Sequence, residues 1–388
     1  MDNRVYVISC HDYAEAGRKV PELLEWMGGM NHYVSPGETI ILKPNLLQMA
    51  SPERAVTTHP DIIASVGRLV SESGANPVIA DSPGAGLANS RAVLKMLYQI
   101  CHMDRAATDG SAVLNWNLST RVVSFPEGRL IRRFELIEPA AEADGIINLC
   151  KMKTHSFMGM TGAVKNLFGV ITGLTKPGYH AKLQDTGRFA GMLLDLMDLV
   201  SPRLSIMDAV IGMEGNGPHA GSPRHVGYLF AAINPLAIDV LVSECMGLPP
   251  EKNAVLSEAR NRGLSPLRME DLEIIGERPS PIPIPDFRLP DTFFTGAGFG
   301  MLPPFLAKTA LSLIRNGITM RPYIHKDRCI ACGQCSRACP VHVISINNGR
   351  FAQINHNACI RCYCCHEMCP ENAISLKQGW LSPILGRL

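Results

Sequence analysis

Nine of the thirteen cysteines fall between Cys329 and Cys369, and their spacing carries chemistry. Residues 329–340 read CIACGQCSRACP, and residues 359–370 read CIRCYCCHEMCP. Both runs are C-x2-C-x2-C-x3-C-P, offset by 30 positions, and the likeness continues into VHVISI after Pro340 and ENAISL after Pro370. Two-residue spacers let a tight loop aim three thiolates at one cubane, while the fourth cysteine lies too far along the chain and serves the neighbouring cluster. The spacing therefore assigns Cys329, Cys332, Cys335 and Cys369 to a first cluster, and Cys359, Cys362, Cys365 and Cys339 to a second. Zinc favours paired C-x2-C knuckles with four ligands per site, a poorer description of two complete runs that each end in Cys-Pro. Two 4Fe-4S clusters are the expected cofactors. Cys364, the ninth cysteine, is expected to be a packed thiol, with a substitute ligand as the alternative.

The second group of chemistry-bearing residues lies at the ends of apolar runs. ETIIL leads into Lys43 and Asn45, PVIA into Asp81 and Ser82, DGIINLC into Lys151, Lys153 and His155, and RLSIM into Asp208 and Glu214. The stretch KMKTHSFMGMTGAVKNLFG continues to Lys165 and Asn166. It is not a Walker loop, because Gly159 and Gly162 are three apart and Lys165 precedes Asn166. Lys151–Met160 is expected to be a loop, with Thr161 as the N-cap of a helix whose free N–H groups favour an anion. Lys153, Lys165 and His155 are the candidate catalytic groups, His155 for proton transfer. Lys43, Asn45, Asp81, Ser82, Lys151, Asn166, Asp208 and Glu214 are the candidate substrate-binding groups. His59 in THPDII reads as part of a helix start, Asp239 in PLAIDVLV as a structural buried carboxylate, and Thr295–Gly300, TGAGFG, as linker. His180 is left open.

These tips need elements to position them. Short β-rich runs (RVYVIS, ETIILK, PVIAD, DGIINLC, RLSIMDA, VGYLFAAI) alternate with helical stretches (HPDIIASVGRLVSES, GRFAGMLLDLMDLV, PLAIDVLVSECMG). The alternation predicts an α/β fold, a mostly parallel sheet with helices on both faces, followed by a small C-terminal α+β domain for the clusters. In such sheets ligands bind beyond the strand C-termini, so the four tips are expected to form one pocket. The predicted organisation is an α/β domain over 1–285, a linker with an amphipathic helix over 286–320, the cluster domain over 321–379 and a tail over 380–388.

Composition narrows the partners. A formal net charge of +2 offers no concentrated positive field, so nucleic acid is not an expected partner. No apolar run reaches the ~18–20 residues that span a bilayer. The opening MDNRVYVISC reads as a strand and not a secretion signal, so the expected location is cytoplasmic.

The motifs KPNLL, DSPG, KMKTH…GMTGAVKNLFGVITG, MDAVIGMEGNGP and NPLAIDVLVSECMG resemble the family called domain of unknown function 362. The resemblance covers about residues 4–280, with a bacterial-type two-cluster ferredoxin module at 321–378. It implies an iron-sulfur protein of anaerobic-type metabolism and brings no established reaction. The expected function is an oxidoreductase that passes electrons from a low-potential redox carrier, through two 4Fe-4S clusters, to a small anionic substrate. The alternatives are a non-enzymatic electron-transfer or docking partner of a larger redox complex, and a metal- or cofactor-handling protein using Asp208 and Glu214.

Overall fold

The computed structural model describes residues 2–84, 90–173, 175–292, 321–347 and 349–377. The linker's amphipathic helix, the TGAGFG segment and the 380–388 tail lie outside them. The α/β part contributes strands β1 (Arg4–Ser9), β2 (Thr39–Lys43), β3 (Asn76–Ile79), β4 (Val113–Leu114), β5 (Thr120–Ser124), β6 (Arg133–Ile137), β7 (Gly145–His155), β8 (Gly159–Met160), β9 (Leu204–Glu214), β10 (Ser222–Ala232) and β11 (Glu273–Gly276). The main sheet runs β11-β1-β10-β9-β7-β2-β3-β4, with β8 folded back on β7 and β5–β6 a separate hairpin. The run from β9 to β4 is parallel, and so is β1 with β11. β10 is antiparallel to both its neighbours, so the sheet is mixed although mostly parallel.

Helices cover both faces, as side-chain alternation along the strands requires. Ile40, Leu42, Ile147 and Leu149 pack on one face against Val20, Leu24, Ile62, Val66 and Leu97. The opposite face of β7 and β9, with Cys150, Met152, Met207 and Ala209, packs against Ile238 and Leu241 of the Pro235–Cys245 helix. The helix Thr186–Val200 adds Phe189, Met192, Leu193, Leu196 and Met197, the apolar positions its spacing marks. His59 caps the helix Pro60–Glu72, its Nδ1 accepting from Asp61 N at 3.3 Å.

Two features differ from the sequence expectation. Lys151, Lys153 and His155 lie inside β7 and not in a loop, because the strand continues to His155 and returns through β8. Their polar ends find partners in the fold, so the lysines do not end the strand. The helix after Thr161 is a short turn, Gly162–Asn166, followed by a 3-10 turn, Leu167–Val170. Thr161 does not cap it with its side chain. Asp239 does: Ala163 N donates to its Oδ1, and Val164 N donates to its Oδ2 at 3.2 Å. Gly162 makes this contact possible, since a Cβ there would lie 2.4 Å from Asp239 Oδ1 and its φ is +61°. The anion at this helix start is therefore a side chain of the protein.

The C-terminal module pairs β12 (Arg321–Ile324) with β15 (Ile374–Lys377), and β13 (Ile344–Asn347) with β14 (Phe351–Ile354). Short helices Gln334–Ala338 and Cys364–Glu367 follow the two cysteine loops. No helix among the described residues is long and apolar enough to cross a membrane.

The Asp239 cap is testable. Asp239→Ala leaves two buried N–H donors without an acceptor, at about 1–3 kcal/mol each. Burial pushes the Asp239 carboxyl up to about 7, against two backbone hydrogen bonds that lower it. A raised carboxyl pKa gives stability that is complete below the unfolded value of about 4 and is lost as pH rises through 7. Denaturation midpoints at pH 5 and pH 8 should therefore fall more steeply for the native chain than for Asp239→Asn; equal slopes would contradict the assignment.

Candidate functional site

The cysteine loops have the same backbone. Residues 331, 333 and 342 of the first repeat and 361, 363 and 372 of the second all take positive φ. The loops thereby turn tightly enough to gather their thiols. Cys329, Cys332, Cys335 and Cys369 line one cavity together with Ile324, Ile330, Ile346 and Ala352. Four thiols in a mostly apolar shell, with Glu371 the one carboxylate in the lining, suit a cubane. Around the other centre, burial and then the nearby thiols of Cys362, Cys359, Cys335 and Cys339 push the Cys365 thiol well up. Burial first, and then Cys362 and Cys339, raise the Cys359 thiol against a backbone hydrogen bond that lowers it. This crowding of thiols is what bound iron relieves. Backbone N–H groups donate to the crossing cysteines in the same way in both repeats: Val343 N to Cys339 Sγ at 3.4 Å and Ala373 N to Cys369 Sγ at 3.1 Å.

The second cysteine loop docks on the strand tips of the α/β part. His219 Nε2 contacts Cys369 O at 2.9 Å, and Glu367 Oε1 lies 3.4 Å from His155 Nε2. Between the two parts lies a cavity of about 70 Å³. From the α/β side it is lined by Lys43 at the end of β2 and Asn45 beyond it, Asp81 and Ser82 after β3, Lys153 of β7, and Thr161, Lys165 and Asn166. Gly169, Lys176 and His180 add to that wall, and Cys364, Glu367 and Met368 of the module form the opposite one.

Each lysine of this wall is held differently. Lys43 Nζ pairs with Asp81 Oδ1 at 3.1 Å and donates to Pro44 O at 2.9 Å. Gly169 leaves room for that pair, since a Cβ there would sit 2.0 Å from Asp81 Oδ1. Lys153 Nζ donates to Asn45 Oδ1 and Val56 O, both at 2.7 Å. Asn45 is held by a chain of amides: its Nδ2 donates to Asn166 Oδ1, and Asn166 Nδ2 donates to Asn148 Oδ1, each at 2.8 Å. Lys176 Nζ donates to Ser82 O and Pro83 O. Lys165 Nζ has no hydrogen-bond or ion-pair partner among the described residues. Burial lowers the pKa of all four, to about 7 for Lys176. His180 is pushed down to about 3 by burial and by Lys165 and Lys176, and is neutral. Thr161 Oγ1, His180 Nδ1 and Glu367 Oε1 are buried without a hydrogen-bond partner. Buried orphans are rare in folded proteins, and three around one cavity, two on the α/β wall and one on the module wall, point to a missing ligand.

Other predicted site residues go elsewhere. The register of β7 on β9 shifts between Lys151 and Lys153, and the two lysines part there. Lys151 Nζ pairs with Asp208 Oδ2 at 2.7 Å and donates to Tyr13 OH at 2.8 Å. Tyr13 stacks on His59, whose N donates to Asp208 Oδ2. This is a closed, satisfied network away from the cavity lining. Glu214 pairs with Arg288 at 2.8 Å. Asp208 and Glu214 lie six positions apart on one strand, roughly 20 Å at the usual rise, so they do not form one metal site. His155 is not in the lining; it reaches the cavity through Glu367. Its Nδ1 accepts from Phe157 N and Met158 N, which leaves the ring proton on Nε2, facing that carboxylate. Burial holds His155 well below its usual pKa.

Sequence reasoning missed Lys176, Thr161 and the whole module wall. A signal for the wall exists in the repeat itself. Cys364, Glu367 and Met368 replace Gln334, Arg337 and Ala338 of the first run, so the repeats diverge at the positions that line the cavity.

An α/β domain closed at its strand tips by a two-cluster ferredoxin module defines an iron-sulfur protein. Residues 40–244 match the model of the domain of unknown function (DUF362), and residues 322–345 and 352–375 match that of the 4Fe-4S binding domain. The chain is 35% identical over 276 residues to the thylakoid-associated protein sll1697 of Synechocystis sp. (strain ATCC 27184 / PCC 6803 / Kazusa), across 69% of this chain and 81% of that protein. It belongs to the DUF362 family and carries motifs for two 4Fe-4S clusters. Among solved structures, the lactate racemase apoprotein from Thermoanaerobacterium thermosaccharolyticum aligns with a TM-score of 0.40 at 11% identity, over 64% of this chain and 58% of that one.

The cysteine roles give a direct test. The purified holoprotein should contain about eight irons per chain, and Cys365→Ser about four, because a cubane needs its thiolates. Cys364→Ser should keep all eight. Loss of iron from Cys364→Ser would make that residue a ligand.

Proposed function

We propose that the protein is an iron-sulfur oxidoreductase that reduces a small anionic substrate in the cavity between the strand tips and the second cysteine loop. The observation that carries this reading is the composition of the cavity walls, the buried Lys43, Lys153 and Lys176 with the half-buried Lys165 on one side, and Cys364, Glu367 and Met368 of the cluster module on the other. When bound, the clusters supply low-potential electrons one at a time.

The chain's own groups do the rest. Lys165 and Lys176 bind the substrate's negative charge and stabilise the charge added on reduction, in a site from which buried side chains exclude water. The Lys43–Asp81 pair and the Lys153–Asn45–Asn166 chain hold that wall rigid. His155 Nε2–H faces Glu367 and positions its carboxylate at the cavity edge, a route for the proton that accompanies the electron. The two cysteine loops differ in access: Ile330 is 62% exposed and Cys332 is exposed, whereas Cys364 and Cys365 are buried. A reduced carrier therefore docks at the first loop and is oxidised there, while the substrate meets the second loop and takes up the electrons.

Anaerobic reoxidation tests this. The holoprotein is reduced with dithionite, freed of excess reductant and mixed with a panel of short carboxylic acids and oxyanions while cluster absorbance is followed. At least one reducible anion should speed reoxidation, and Lys165→Met should slow that response by about tenfold or more, the worth of a charged hydrogen bond. A panel without effect, or an unchanged response in Lys165→Met, would sink the reading.

A further inference from the structure

We infer that the ligand of this cavity is a compact dianion, an oxyanion or a short dicarboxylate of about five to seven non-hydrogen atoms, anchored by Lys165. The inference rests on reading the cavity as a ligand site and narrows the class of ligand.

Charge is the first reason. Lys43, Lys153, Lys165 and Lys176 line the cavity, and Asp81 and Glu367 are the carboxylates among the lining residues. Four lysines against two carboxylates leave an excess of two positive charges when all are ionised. Asp81 is already committed, to Lys43 and to Leu46 N at 2.8 Å. Lys153 and Lys176 are held by neutral oxygens only, which orient an ammonium without neutralising it. A buried charge without a counter-charge is costly, and a ligand carrying two negative charges removes that cost.

Size is the second reason. A buried water occupies about 10–15 Å³ on the same measure, so a cavity of about 70 Å³ has room for a handful of heavy atoms. Nucleotides, flavins and long-chain acids do not fit. The orphaned atoms are the third. Thr161 Oγ1 and His180 Nδ1 can donate to ligand oxygens, and Glu367 Oε1 can accept a ligand O–H. An oxyanion with one O–H answers all three.

Burial lowers the lysine pKa values, and the few carboxylates nearby do not restore them. The ionisable groups facing these lysines are Asp81, His180, Cys364 and Glu367. A dianion raises the lysine values again, so its binding draws protons from solution.

Anaerobic isothermal titration of the holoprotein tests this at pH 8, with inorganic phosphate and oxalate as dianion probes and acetate as the monoanion. Each is titrated in two buffers of different ionisation enthalpy. Phosphate, oxalate or both should bind with proton uptake, and tighter than acetate. Preference for one of them identifies the oxyanion or the dicarboxylate arm. Lys165→Met should weaken that binding by about tenfold to a hundredfold. Thr161→Val, which keeps the shape and loses the orphaned hydroxyl, should weaken it less, and iron content verifies that both variants are folded. Acetate binding as tightly as the dianions, no binding of either dianion, binding without proton uptake, or an unchanged affinity in Lys165→Met would each overturn the inference. Dianion binding without any ligand-driven reoxidation would instead overturn the oxidoreductase reading and leave this one standing.

Discussion

The structure depends on burying lysine. An ammonium removed from water costs several kcal/mol unless charge or hydrogen bonds replace its hydration, and this fold buries Lys43, Lys151, Lys153 and Lys176 at the tips of one sheet. Two of them are matched with carboxylates, Lys43 with Asp81 and Lys151 with Asp208. The amide chain, the glycine that clears Asp81 and the register shift in β7 all serve to hold these groups in place. Where the matching stops, at Lys153, Lys165 and Lys176, the cavity begins. Buried polar groups left without partners are disfavoured wherever they have no function, which makes their concentration at the docking surface of a redox module informative.

Much of this was legible in the sequence, and the limits have physical causes. The two 4Fe-4S motifs follow from spacing alone, and the same spacing assigns eight cysteines to them, because a local loop gathers three thiols and the fourth is placed by the repeat. The helices Pro60–Glu72, Thr186–Val200 and Pro235–Cys245 follow from apolar periodicity. The end of β7 does not. A lysine after an apolar run looks like the start of a loop, and only partners distant in the chain, such as Asp208 and Asn45, allow the strand to continue. The cap by Asp239 is likewise 76 residues from Ala163 in sequence. Local pattern gave no reason to prefer that carboxylate over Thr161 next door.

The candidate site divides along the same line. Lys43, Asn45, Asp81, Ser82, Lys153, Lys165 and Asn166 lie at or beyond the ends of apolar runs in sequence, and they line one cavity. Lys151, Asp208 and Glu214 were chosen by the same rule and go elsewhere, because a side chain's face depends on register and not on proximity to a strand end. Glu367 and Cys364 belong to a second domain, and a rule about strand tips has no access to them.

The wall shared by the two parts has a consequence for signalling within the molecule. Cys364 sits between Cys362 and Cys365 and also bounds the cavity, so whatever occupies the cavity touches the chain segment that holds a cluster. Linkage between two sites runs in both directions with equal free energy. Under the proposed function, a ligand that senses the oxidation state of that segment is also read by it, and the filling of the pocket and the loading of an electron become one equilibrium at the second loop.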